Sequence, residues 1–229
     1  TPINQLVGTH VVTVEGLASK EGLHPAQKAM IEKHASQCGF CTPGFVVSIA
    51  ALVEAGEASK RETVIEGISG NLCRCTGYVP IVSAGLCALK KKHKSSLKEK
   101  KLFARLQGDD VPSSGYVKPL SERELQAGMR KFPHARLISG GSDLMLEVTQ
   151  GFGSLASVID LSMVRELRLI NETDNMIQIG SSATYSELER YFESRSKSFL
   201  SILKRLGSRQ IRNVGTIGGN LGNGSPIAD

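Results

Sequence analysis

The chain has 229 residues, enough for one large or two small domains, with 40% hydrophobic residues and no tryptophan. It contains no run of about 18 apolar residues and no basic-then-apolar leader, so no membrane span or secretory signal is expected among these residues. The net charge of +6 would fit a nucleic-acid binder, but eight basic residues from Lys90 to Arg105, opposed only by Glu99, carry more than that whole excess. The basicity therefore belongs to one solvated segment and not to a groove.

Thr1 opens the chain without an initiator methionine, as if cut from something longer. HVVTVEGL, ending at Leu17, reads as a short β-branched strand. Pro25 opens a first helix, with Ala26, Ala29, Met30 and Lys33 on one face. A second, over 43–55, is apolar almost all round and is expected to be buried. Ser59 and Glu62 form a capping-box pattern for a third helix ending at Gly70, and Pro80 starts a fourth that runs to the lysines. A four-helix domain over 23–90 follows.

The chemistry of this domain lies in two cysteine pairs. Cys38 and Cys41 make a C-x-x-C, and Cys73 and Cys75 a C-x-C. Four thiols brought together by the intervening fold form a soft site, suited to zinc or an iron–sulfur cluster and unsuited to magnesium or calcium. Each pair precedes a helix. Thr42 is placed to cap the helix after Cys41, with Pro43 at its first position. Unpaired N–H groups at such a terminus favour an anionic thiolate-ligated centre. Gly39, Gly44, Gly70 and Gly77 let the backbone approach closely. A zinc ribbon or a disulfide pair remains open on spacing alone, although C-x-C is uncommon in ribbons. The fifth cysteine, Cys87, lies among Leu86, Ala88 and Leu89 and reads as a small core residue. Four thiols committed to metal imply a reducing compartment, the cytoplasm.

Residues 91–115 read as a linker, first charged and then turn-forming. From Tyr116 the pattern changes. Ser121 and Glu124 cap a helix, and strands are expected over 135–139 and 157–161. A hairpin is expected from 168–170 and 176–179, a helix capped by Thr184 and Glu187, and another over 199–206. This describes an α+β domain without an alternating parallel sheet. Strand, GGSDL, helix suits a phosphate at a helix start, though Gly-Gly is more often only a turn. The end is denser still: Gly215, Gly218, Gly219, Gly222 and Gly224 interleave with Ile211, Val214, Ile217 and Leu221. A flexible linker would lack those apolar residues, so this stretch reads as a ligand loop.

SQCGFCTPGF followed by SGNLCRCTGY resembles the helical 2Fe–2S domain of the xanthine dehydrogenase and aldehyde oxidase family of molybdenum hydroxylases. GGSDL and GGNLGNGSPIAD resemble the flavin domain of the same family, in its iron–sulfur and flavin-bearing small subunits. The resemblance implies a multi-domain α and α+β chain. Residues 1–22 would be the end of a ferredoxin-like 2Fe–2S domain, 23–90 the helical 2Fe–2S domain, 91–115 a basic linker and 116–229 the first part of the FAD domain. It implies that Cys38, Cys41, Cys73 and Cys75 hold a 2Fe–2S cluster, and that Gln37 and the Cys75 segment hydrogen-bond a molybdopterin. Gly140, Gly141, Ser142, Asp143 and Leu144 would cradle the FAD pyrophosphate, with further FAD contacts from Gly207, Thr216, Gly219, Asn220, Gly222 and Asp229. The implied role is electron relay to FAD and then NAD, from a molybdopterin-binding large subunit in a hetero-oligomer that oxidises a purine. No catalytic residue for the hydroxylation falls in this chain, and no nucleic-acid or membrane partner is implied. The rival expectations are a relay subunit for an aldehyde, CO or aromatic hydroxylase and, outside the family, a zinc-stabilised interaction module with a basic arm.

Overall fold

The computed structural model describes residues 2–93 and 115–224, which divide into two units: 8–93 form one, 2–7 with 115–224 the other. Most of the expected linker, and Asp229, lie outside the described residues.

The first unit is four helices, α1 (Pro25–Glu32), α2 (Thr42–Glu54), α3 (Arg61–Ile68) and α4 (Val79–Leu89). Phe45, Ile49, Val64 and Ile81 are fully buried between them, with Ala26, Ala29, Ala84 and Ala88 where small side chains admit close helix approach. Close packing leaves no slack: a Cβ on Gly85 would stand 2.5 Å from Val64 Cγ1. The entry to α1 is a capping box the sequence reading missed. His24 Nδ1 accepts from the Ala26 N–H at 3.1 Å, and Gln27 Oε1 accepts from the His24 N–H at 2.8 Å.

Three local expectations do not hold in the first unit. HVVTVEGL forms no strand; Glu15–Leu17 is a 3-10 turn, and Val12 and Val14 pack against the helical core. Ser59 does not cap α3. Its hydroxyl donates to Leu86 O at 2.9 Å instead and ties the segment before α3 to α4. Lys33 lies just past α1 and is exposed, not on the buried face.

In the second unit β1 (Tyr116–Val117), β2 (Arg136–Ile138) and β3 (Val158–Asp160) form a sheet of order β1-β3-β2. All its pairings are parallel, against the expectation of no alternating parallel sheet. Helix α5 (Glu122–Lys131), capped by Ser121, makes the β1–β2 crossover that parallel strands need. A short α6 (Leu146–Thr149) follows GGSDL, and β4 (Ile170–Glu172) and β5 (Ile177–Ile179) form the expected antiparallel hairpin. Next come α7 (Tyr185–Phe192) and α8 (Lys197–Arg205), which enclose Leu188, Phe192 and Leu203.

The glycine-rich end is helical where a loop is expected. It forms α9 (Arg209–Val214) and α10 (Ile217–Asn223). Ser208 Oγ accepts from Ile211 N at 3.3 Å and Thr216 Oγ1 from Gly219 N at 3.2 Å. These two caps offset the entropy that glycine loses in a helix. Residues 3–6 form a 3-10 turn whose Gln5 Nε2 donates to Ser139 O at 2.9 Å and to the buried Asp160 Oδ1 at 3.1 Å. No helix among the described residues is long and apolar enough to cross a membrane.

Candidate cofactor sites

The four thiols meet as two pairs, each drawing one cysteine from each motif. Cys75 Sγ lies 3.5 Å from Cys38 Sγ, and Cys41 shares a hydrogen bond with Cys73. Cys41 is the N-cap residue of α2, so that pair sits at a helix start. Thr42 is the first helical residue and not the cap; its hydroxyl meets Ser36 Oγ at 2.7 Å. The second motif is held by residues the sequence reading did not single out. Cys73 N donates to Tyr78 Oη at 2.9 Å, and Thr76 Oγ1 stands 3.2 Å from Cys73 Sγ. Tyr78 sits at φ 68 and its ring packs edge-on against Phe45. Asn71 lies over the first turn of α2, where a Cβ on Gly44 would come within 2.6 Å of Asn71 Oδ1.

The charge state of the pairs is divided. Hydrogen bonds from the Thr76 hydroxyl and N–H lower the Cys73 thiol to about 7, while burial raises Cys41. The Phe40 N–H lowers Cys38, and its hydrogen bond with Cys38 raises Cys75. Within each pair the two thiols are thus unequal: Cys73 and Cys38 lose a proton more readily than Cys41 and Cys75, and metal binding would take the remaining protons.

The spread of the sulfurs tests the metal. A tetrahedral zinc about 2.3 Å from each sulfur would hold all four within about 4 Å of one another. Among the described residues, the group of three or more donor atoms that all lie within 4.8 Å is His24, Glu54 and His93, not three of the sulfurs. Two separate pairs fit a centre with two irons, each taking two thiolates. Gln37 and Cys38 are exposed beside them, and Phe40 (94%) and Leu72 (84%) leave large apolar surface uncovered there.

In the second unit the two glycine-rich segments touch. A Cβ on Gly140 would stand 1.8 Å from Val214 O and 3.0 Å from Gly215 N. Gly141 has φ +67, a conformation open to glycine. Between them runs 181–185: Ser139 Oγ meets Ser182 Oγ at 3.1 Å, Gly218 N donates to Ser181 O at 2.9 Å and Tyr185 N to Gly215 O at 3.0 Å. Asn220 Nδ2 donates to Tyr185 Oη. Gly140, Gly141, Thr216, Gly219 and Asn220 thus gather around one backbone contact, with Ser142 and Asp143 exposed on the loop and Leu144 half-buried. Gly207 lies at the other end of α9, and Gly222 farther along α10. Glycine at 140 and 141 lets these segments pack, since a Cβ would meet Val214 O at the first and Ile138 and Met145 at the second; the exposed 142–143 turn beyond them leaves backbone open to a ligand such as FAD.

Residues 111–229 match the FAD binding domain in molybdopterin dehydrogenase. The chain belongs to the molybdenum hydroxylase family. Residues 13–86 match the 2Fe–2S binding domain. The chain is therefore the electron-transfer, 2Fe–2S and FAD portion of a member of that family. Xanthine dehydrogenase 2 of Arabidopsis thaliana is 30% identical over 100% of this chain and 22% of its own length. Aldehyde oxidase 3 of Rattus norvegicus is 27% identical, also over 100% of this chain and 22% of its own. The chain thus spans about a fifth of the curated relatives it matches. Among solved structures, the carbon monoxide dehydrogenase of Hydrogenophaga pseudoflava is similar at 29% identity and TM-score 0.47, over 52% of this chain and 42% of that one.

His24, Glu54 and His93 make a second cluster that the sequence reading missed. Both Nε2 atoms face Glu54 Oε1, at 3.3 and 2.9 Å. A backbone N–H only donates, so His24 Nδ1, which takes the Ala26 N–H, carries no proton. The proton of neutral His24 is on Nε2 and points at Glu54. That tautomer makes His24 a hydrogen-bond donor within the helical unit and not a metal ligand.

Proposed function

We propose that this chain is the relay portion of a molybdenum-dependent xanthine dehydrogenase, passing electrons from a molybdopterin centre through 2Fe–2S to FAD and on to NAD. The observation that carries this reading is the two-pair thiolate site in a family chain whose relatives across its whole length include xanthine dehydrogenases. The 2Fe–2S and FAD groups supply the electron-carrying chemistry when bound. Cys38, Cys41, Cys73 and Cys75 hold the irons, and Tyr78, Thr76 and Asn71 fix the second motif against α2. Gln37, exposed beside Cys38, hydrogen-bonds the pterin of a molybdopterin-binding large subunit or region. Exposed Phe40 and Leu72 support burial of this face against that partner. Gly140 to Leu144, Gly207, Thr216, Gly219, Asn220 and Gly222 bind FAD through the backbone, with Asp229 a further contact. The five free thiols support a cytoplasmic location.

The test uses the full-length protein with and without its partner. Alone it should oxidise NADH with an artificial acceptor and leave xanthine untouched; with the partner it should turn over hypoxanthine in preference to benzaldehyde. Preference for benzaldehyde would move it to the aldehyde-oxidising branch, which the similarity to aldehyde oxidase 3 keeps as the second reading. Zinc in place of iron and labile sulfide would sink both.

A further inference from the structure

Arg212, on α9, has only 1% of its surface exposed. Its Nη1 donates to Gly207 O at 2.9 Å, Leu206 O at 3.2 Å and Lys204 O at 3.4 Å. Its Nε and Glu189 Oε1 of α7 lie 2.5 Å apart as an ion pair, in an alignment that is not that of a hydrogen bond. A buried guanidinium persists only where its donors and its charge are met. This one gathers the carbonyls at the end of α8 and in the turn before α9. A trans peptide sets each C=O opposite the next N–H. With Leu206 O and Gly207 O turned toward Arg212, the N–H groups of Gly207 and Ser208 face away from it. At its other end α9 delivers Val214 O and Gly215 N against Gly140.

We propose that Arg212 is a positioning residue for the flavin: it locks the Leu206–Gly207 turn and, through α9, sets that turn relative to the Gly140–Val214 contact. The proposal rests on the reading that FAD lies on the Gly140, Gly207 and Thr216 segments. A lysine keeps the charge but lacks the planar fork that reaches several carbonyls and a carboxylate together.

The experiment uses the full-length protein, stripped of flavin and titrated with FAD. Arg212→Lys should keep its iron, bind FAD about tenfold or more weakly, and at saturating FAD show altered visible circular dichroism and a shifted flavin midpoint potential. Glu189→Gln, which leaves the carbonyl contacts in place, should lower the melting temperature but keep the flavin signature of the wild type. Hydrogen exchange on the wild type gives a readout independent of any variant: the amides of Gly207 and Ser208 should become protected when FAD binds. Arg212→Lys with a lowered melting temperature but wild-type affinity, dichroism and potential would overturn the proposal, as would unprotected 207–208 amides in the FAD-bound wild type. A wild-type protein that takes up no FAD would instead overturn the flavin reading itself.

Discussion

The α-carbon of Gly140 faces the carbonyl oxygen of Val214 so closely that a Cβ would come within 1.8 Å of it. That oxygen is backbone and cannot swing away. Gly140→Ala must therefore displace the 139–145 loop or α9. We expect a stability loss of about 1–3 kcal/mol or more and loss of FAD, with iron unchanged. Gly141→Val should also lose FAD, since φ +67 disfavours a β-branched residue and its Cβ would press on Ile138 Cδ1 at 3.1 Å. Asp143→Asn, at an exposed position, should retain it. Flavin fluorescence after heat release, with iron assayed on the same sample, decides; full flavin in Gly140→Ala would refute the cradle.

The thiols separate by role. Cys73→Ser should lose iron and loosen the helical unit, because Cys73 joins the second motif to Cys41 at the start of α2. Cys87→Ser should keep full iron: Cys87 is half-buried on α4, and its sulfur meets Glu32 and none of the four site thiols. Equal iron in both variants would show that the ligands are misassigned.

Gln37 is exposed next to Cys38. Gln37→Leu should leave the cluster's electron paramagnetic resonance signal intact and slow electron arrival from molybdenum by about fivefold, the equivalent of one hydrogen bond of about 1 kcal/mol. Rapid-mixing reduction of the full complex measures this. An intact cluster signal with a wild-type reduction rate, or loss of the cluster signal itself, would contradict it.

His24 gives the helical unit a pH dependence. Burial, then the neighbouring His93, lowers its pKa below the ordinary 6.5, outweighing Glu54, which acts the other way. The folded state therefore takes up this proton less readily than the unfolded chain. The stability contributed is complete above about pH 6.5 and is lost as pH falls below it toward the lowered value. Protonation would also place a second N–H against that of Ala26. His24→Asn, which caps without titrating in this range, should show a shallower fall in melting temperature between about pH 6.5 and 5. Parallel curves for the two proteins would remove His24 from the account.

Short-range signals in the sequence were the most reliable. Ser121, Thr184 and the hairpin around Asp174 are found as expected because their partners lie a few residues away. Where a residue had a distant alternative, the local reading failed. Ser59 bonds Leu86 O in place of capping α3, and Val12 and Val14 find helices to pack on instead of a neighbouring strand. Thr42 is the nearer exception: it meets Ser36, six residues away, and leaves the N-cap position to Cys41. At the sites, the cysteines were legible from spacing, but Tyr78 and Asn71, which hold them in place, carry no motif of their own. Arg212 reads as one more surface charge in SRQIRN, and only its burial shows otherwise.

The 3.5 Å between Cys38 and Cys75 also bears on handling the metal-free protein. Two sulfurs in contact need little movement to bond once one is oxidised, and Cys38, with its lowered pKa, is the one oxidised first, to a sulfenic acid that the Cys75 thiol attacks with release of water. In air, dioxygen can accept the two electrons and leave a cross-link between the motifs in the place iron would occupy. Apoprotein prepared aerobically should then refuse iron and sulfide until a dithiol reductant restores both thiols, so an iron-free preparation would record its exposure to oxygen before it recorded any defect in the sequence.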